Sequence, residues 1–212
     1  MKTTSGLKNS RGIKLFMQKI VLAFSGSLRK ESFSTKLVKA FGQQAPEGID
    51  FRMADISKLP IYNQDNELPE PDFLLELKAQ IKPAHGILLV TPEYNRSIPP
   101  VLKNALDWVS RPQVPPGLGP WAGKATAVAG VSPYSLGGVS AVFHLRQVLT
   151  FLNMPVMQQP EFYLTFAAEK FDKQGKLIDQ STKEHIDRFW AAYVPFIENS
   201  MKPVIQYTTE EK

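Results

Sequence analysis

The feature that most constrains this chain is a recurrence of short apolar runs separated by segments of helical period. The runs "IVLAF" (20–24), "IDFRMA" (49–54), "GILLV" (86–90) and "ATAVAGV" (125–131) read as strands, and a weaker one lies within "PVMQQPEFYLT" (155–165). They are apolar nearly throughout instead of alternating, the pattern of strands covered on both faces of a parallel sheet. After each of them, apolar residues return every third or fourth position. Phe33, Leu37, Val38 and Phe41 form one such stripe, and Phe73, Leu77 and Ile81 a second. Val101, Leu102, Ala105, Leu106 and Val109 form a third, introduced by Pro99 and Pro100, where a first helical turn tolerates proline. Val142, Leu145, Leu149 and Leu152 make a fourth, and Ile186, Phe189, Trp190, Tyr193 and Ile197 a fifth. Each stripe is expected to bury against the sheet.

Strands alternating with helices predict an α/β fold of three layers, doubly wound around a five-stranded parallel sheet. Five strands favour the flavodoxin-like order 2-1-3-4-5 over a six-stranded dinucleotide fold. With 212 residues, one domain with a sizeable core accounts for the chain. That domain is expected over 18–201, between a basic extension at 1–17, expected to be disordered, and a C-terminal tail at 202–212.

Charge and composition narrow the function. Four of the five net positive charges come from Lys2, Lys8, Arg11 and Lys14 in residues 1–16, which leaves the rest of the chain at +1. A basic tail on a neutral body predicts no nucleic-acid partner. Residues 1–16 are read as an upstream start or an added segment, with a targeting peptide as the alternative. The chain has no cysteine, so a disulfide framework, a thiolate metal site and a catalytic thiol are all excluded, and a reducing cytoplasm suits it. His85, His144 and His185 are scattered and share no ligand spacing, so no metal is expected. No apolar run approaches the ~20 residues of a membrane helix.

In a sheet of this order, ligands sit beyond the carboxyl ends of the strands near the reversal of strand order. That places the function in loops 25–35, 91–98 and 132–138. The first, "SGSLRKESFST", offers hydroxyls from Ser25, Ser27, Ser32, Ser34 and Thr35, together with Arg29 and the start of a helix, a combination that suits an anion. It lacks both G-x-G-x-x-G and G-x-x-x-x-G-K-[ST], so a terminal monophosphate fits it better than a pyrophosphate. The second, "TPEYNRSIPP" (91–100), presents the flat ring of Tyr94, with main-chain groups of 93–95 and the Asn95 amide able to meet a planar heterocycle. Glu93 has no paired carboxylate or adjacent histidine and reads as a poor general acid or base. The sequon Asn95-Arg96-Ser97 is discounted because it falls where the ligand should lie. In the third, "SPYSLGG" (132–138), Ser132 and Ser135 are donors, and Gly137 and Gly138 let backbone approach a ligand. Taken singly, each loop is equally an ordinary turn with a helix cap; their convergence favours a site. A long Pro-rich loop over 55–71 is expected to be functional or interfacial.

"GSLRKESFST", "LPIYNQD", "TPEYNRSIPPVLKNALDW" and "HLRQVL" together resemble the NADPH-dependent FMN reductase family, which includes quinone, chromate and azo-dye reductases. The resemblance runs from about residue 19 to about residue 165 and is absent from 1–16. It implies non-covalently bound FMN, with Ser25, Ser27, Arg29, Ser32, Phe33 and Ser34 cradling the phosphate. Pro92, Glu93, Tyr94 and Asn95 would line the isoalloxazine, with Ser132, Gly137 and Gly138 at its other edge. It implies NADPH or NADH as co-substrate and small-molecule electron acceptors such as quinones, free flavin, chromate or azo compounds. A ping-pong transfer of two electrons follows, with no catalytic side chain named. A homodimer or homotetramer is implied as well, with the 55–71 loop and the "HLRQVL" helix as interface elements. Arg96 and Pro100 depart from the family, where an aromatic residue and a glycine are frequent; Arg96 could favour a phosphate of NADPH or an anionic acceptor. The competing readings are a non-catalytic electron carrier or redox sensor and a flavin-free binding module.

Overall fold

The structure, a computed structural model, describes residues 18–111 and 119–201. The apolar runs become β1 (Lys19–Ser25), β2 (Ile49–Met53), β3 (Gly86–Thr91), β4 (Ala125–Val131) and β5 (Phe162–Leu164). The stripes become α1 (Phe33–Gln43), α2 (Asp72–Ile81), α3 (Pro100–Val109), α4 (Val139–Phe151) and α5 (Gln180–Ser200). All strand pairs are parallel, in the order β2-β1-β3-β4-β5, the flavodoxin-like arrangement. The extension at 1–17 and the tail at 202–212 lie outside the described residues.

Successive strand side chains point to opposite faces, and each face has its own helical layer. Leu22, Phe24, Ile87 and Leu89 pack with α2, α3 and α4, whereas Val21, Ala23, Leu88 and Val90 pack with α1 and α5. The central strands are therefore buried on both sides, which is why their sequences do not alternate. On α1, Leu37, Val38 and Phe41 are fully buried, each contributing about 1.5–3 kcal/mol. Phe41 packs its ring against Phe162, Phe189 and Trp190, so truncating it to alanine would cost about 3–5 kcal/mol. Tyr193 of α5 is also fully buried; its hydroxyl lies 2.8 Å from the Ile87 carbonyl and 3.0 Å from that of Ala125. Burial pushes its pKa well above that of a free tyrosine. Gly86 makes this approach possible, since a Cβ there would stand 2.7 Å from the Tyr193 hydroxyl.

The two edge strands depart from the simple pattern. β2 is only half covered, and Arg52 and Met53 at its end are exposed. The weak run at 155–165 splits: Val156 makes one isolated bridge with Thr126, and only three residues form β5. Pro155 and Pro160 interrupt the donors such a strand would need. The 55–71 loop is pinned to α3, because the Pro60 carbonyl accepts from Asn104 Nδ2 and Trp108 Nε1, both at 2.8 Å. Tyr62 then sets its ring edge-on against Trp108.

Candidate functional site

The ends of β1, β3 and β4 open into one cleft of about 340 Å³. Its first wall is folded largely by its own hydroxyls. Gly26 donates its N–H to Val90 O at 2.8 Å, and a Cβ on it would stand 2.8 Å from Pro92 Cδ, so only glycine lets the first loop cross the exit of β3 this closely. Ser25 Oγ lies 2.9 Å from Thr35 Oγ1 and donates to Ser27 O, Ser27 Oγ accepts from Arg29 N, and Ser32 Oγ caps α1 by accepting from Thr35 N.

Ser34 is different. Its hydroxyl is buried and has no hydrogen-bond partner. It stands in the first turn of α1, where the N–H groups of Phe33 and Ser34 also have no intrahelical acceptor. Arg29 lies above: its guanidinium donates to Glu31 O at 2.7 Å and sits 5.8 Å from the centre of the Phe33 ring, which in turn stacks on Phe171. A free hydroxyl, two free N–H groups, the positive end of a helix and a cation therefore converge, and an anion with several acceptor oxygens would satisfy all of them.

The second wall is a tight turn in which Tyr94 and Ser97 exchange two backbone hydrogen bonds around Asn95 and Arg96. Both central residues are left-handed, at φ 50° and 64°, a conformation asparagine tolerates better than arginine. Ser97 Oγ lies 2.7 Å from His144 Nδ1 and ties the turn to α4. Glu93 makes a second tie. Its Oε2 accepts from Ser140 N at 2.9 Å and Ala141 N at 3.3 Å, and its Oε1 lies 3.5 Å from Arg96 Nη1.

Two features of the third wall have partners within the chain. The amino terminus of α4 does not offer its positive end freely to a ligand. Its cap residue, Gly138, supplies no side chain, and the Glu93 carboxylate takes its place from the neighbouring loop. Gly137 and Gly138 shape the turn. They hold φ 60° and 82°, and Cβ atoms on them would stand 2.8 Å from Tyr163 Cβ and 3.2 Å from Val131 N. Beneath them Tyr163 is pushed up to about 12, first by burial and then by its bond to Glu161.

Of the residues singled out, Ser27, Arg29, Ser32, Phe33, Ser34, Pro92, Glu93, Tyr94 and Ser132 line the cleft. Ser25, Asn95, Gly137 and Gly138 do not. Sequence reasoning missed Val131, Pro133 and the largely exposed Tyr134, which complete the third wall. Tyr134 stood in the quoted "SPYSLGG" loop and matches Tyr94 in kind, a signal that could have found it. Gly26 was also missed, because its role comes from a crossing with a loop more than sixty residues away. Among the described residues no cluster of His, Cys, Asp or Glu could hold a metal, and no helix is long and apolar enough to cross a membrane.

Residues 20–169 match the family model described as NADPH-dependent FMN reductase. A quinone reductase of Pseudomonas putida is 44% identical over 168 residues, covering 77% of this chain and 89% of the relative. A 2-hydroxy-1,4-benzoquinone reductase of a Burkholderia species is 40% identical over 174 residues, covering 82% and 93%. Among solved structures, FerB, a flavoenzyme NAD(P)H:(acceptor) oxidoreductase from Paracoccus denitrificans, superposes with a TM-score of 0.79 at 36% identity, covering 86% of this chain and 98% of that one.

Proposed function

This chain belongs to the NADPH-dependent FMN reductase family, and from that membership we propose that it is an FMN-dependent NAD(P)H oxidoreductase acting on quinones and related small acceptors. The observation that carries the site assignment is the unpartnered Ser34 hydroxyl beside the open end of α1. FMN fits these residues: its phosphate would meet Ser34, the Phe33 and Ser34 N–H groups and Arg29, and its ring system would lie between Pro92, Tyr94 and Ser132. FMN held there would supply two-electron redox chemistry between NAD(P)H and the acceptor, which fits a ping-pong order.

The chain's own part is binding and orientation. Hydroxyls already engaged with one another hold the first loop in shape before any ligand arrives. Glu93 fixes the distance between the second and third walls by bonding α4. Tyr94 and Tyr134, about half and three-quarters exposed, flank the mouth and would offer flat surfaces to a planar acceptor. No side chain is required as a nucleophile or proton shuttle.

The test is direct. Protein titrated into FMN should quench the flavin fluorescence, and the loaded protein should oxidise NADH or NADPH rapidly once 1,4-benzoquinone is added. No quenching would overturn the site; quenching without quinone-dependent turnover would favour a carrier. We further propose a cytoplasmic homodimer or homotetramer without a nucleic-acid partner. Ile61 and Leu68 of the 55–71 loop and Phe143 and Phe151 of α4 are exposed apolar side chains suited to burial between subunits. Light scattering on a sizing column that finds a monomer at micromolar concentration would refute the assembly.

A further inference from the structure

Beside the flavin cleft lies a second cavity of about 430 Å³, larger than the first and not used by it. It opens at the carboxyl ends of β1 and β2 and shares only Ser27 and Arg29 with the cleft, so the Ser27–Arg29 segment is the partition between them. Its size falls within the range of small-molecule and cofactor sites, about 300–1,000 Å³.

The lining is of two kinds. Leu28 and Met53 present half-exposed apolar side chains, and Ile56 is a buried apolar one. These are surfaces for a flat ring. Asp55 adds a carboxylate; Ser57 engages Oδ1 through its N–H, and a carboxylate has lone pairs beyond that bond for hydroxyl or amino donors. Arg29 adds a cation on the partition, with donors left over from its bond to Glu31 O.

Resting on the reading of the protein as an NAD(P)H oxidoreductase, we infer that this cavity receives the adenosine-diphosphate half of the nicotinamide co-substrate. The adenine would lie against Leu28, Met53 and Ile56, the ribose hydroxyls would donate to Asp55, and the diphosphate would cross the partition at Arg29. A dinucleotide with its nicotinamide in the flavin cleft must lay its other half nearby. This is the adjoining cavity that combines an apolar wall, an acceptor and a cation. A quinone has no use for it, because electron transfer needs the acceptor in the cleft on the other side of Ser27–Arg29.

The test uses the FMN-loaded protein and ADP-ribose, which carries the same half without the reducible ring. Calorimetry should detect ADP-ribose binding to the parent. Met53→Asp, at an exposed edge-strand position outside the flavin cleft, places a negative charge beside the diphosphate path and removes part of the apolar wall. It should weaken ADP-ribose binding and raise KM for both NADH and NADPH about tenfold, with FMN affinity and quinone KM unchanged. Asp55→Ala, which removes the ribose acceptor outside the flavin cleft, serves the same purpose should Met53→Asp fail to fold. No binding of ADP-ribose to the parent, or parent-like ADP-ribose affinity and nicotinamide KM in the folded variant, would overturn the inference. FMN quenching and quinone turnover of the parent judge the reductase reading separately.

Discussion

Replacing Glu93 with alanine should separate the two things the second loop does, shaping the cleft and stabilising the fold. Glu93 accepts from Ser140 N at 2.9 Å and from Ala141 N at 3.3 Å, so its removal uncaps α4. Loss of a helix cap costs about 0.5–2 kcal/mol. The upper half of that range applies here, since Ala141 is fully buried and water cannot readily replace the lost acceptor. For a chain of this size about 1 kcal/mol corresponds to ~2–4 °C in Tm, so a loss of about 1–2 kcal/mol lowers Tm by ~2–8 °C. Glu93→Gln keeps one acceptor oxygen and removes the charge, so it should recover about half of that loss. Scanning fluorimetry of the three proteins without flavin gives the ranking, and FMN titration gives the second readout. Affinity should fall with Tm in Glu93→Ala and return partly in Glu93→Gln, since both effects pass through one strut. An unchanged Tm in flavin-free Glu93→Ala would refute the cap. A parent-like FMN affinity in a destabilised Glu93→Ala would refute its role in spacing the cleft walls.

Ser34→Ala should leave the flavin-free protein as stable as the parent or more so, because it deletes a buried hydroxyl that has no partner. The same change should weaken FMN binding about tenfold, read by fluorescence quenching; unchanged binding would remove Ser34 from the cradle. Arg29→Ala should weaken FMN about 10–100-fold, the range of one charge-assisted hydrogen bond, with little change in Tm, because within the chain the guanidinium bonds an exposed carbonyl. Stability should also fall below about pH 6.5, the ordinary histidine value. Desolvation lowers the pKa of both His85 and His185, with Lys124 and Lys19 adding to it at His85 and Arg188 at His185. The unfolded chain therefore binds these protons first; stability is present above the unfolded value and is lost as pH falls through the folded one. His85 Nδ1 accepts from Ile20 N, so His85→Gln should flatten this acid slope in a series of melts from pH 7.5 to 5; an unchanged slope would assign it to other groups.

The architecture was legible because each layer leaves its own period in the sequence. β4 runs over the same residues, 125–131, that its apolar run marks, since a strand buried on both faces can carry nothing polar but a paired Thr126. Legibility fades at the edges. β5 is short and follows two prolines, so its run looks like any apolar loop segment until β4 pairs with it. The site follows the same division. Ser32 announces itself as a cap by standing three residues before Thr35, a local relation that spacing reveals. Glu93 and Ser140 lie 47 residues apart, and no local pattern links a loop acid to a helix in another βα unit. Gly137 and Gly138 pose a related problem: a glycine marks close approach without saying to what, and the protein's own Tyr163 and β4 stand close to both.

The hydroxyls of the first loop show how much of a binding site is fold and how much is function. Ser25, Ser27, Ser32 and Thr35 look interchangeable with Ser34 in the sequence, yet all four form hydrogen bonds within the chain. Their bonds hold the backbone of the loop in place, which lowers the ordering cost that an anion would otherwise have to meet on binding. Ser34 contributes nothing of that kind; its hydroxyl is buried and has no partner within the chain, a cost that a bound anion would relieve. The two classes should respond oppositely to substitution. Removing a structural hydroxyl should lower stability first and affinity as a consequence, whereas removing Ser34 should lower affinity alone. A loop in which all five hydroxyls behaved alike would be either a simple turn or an unstructured anion trap, and the hydrogen bonds here fit neither.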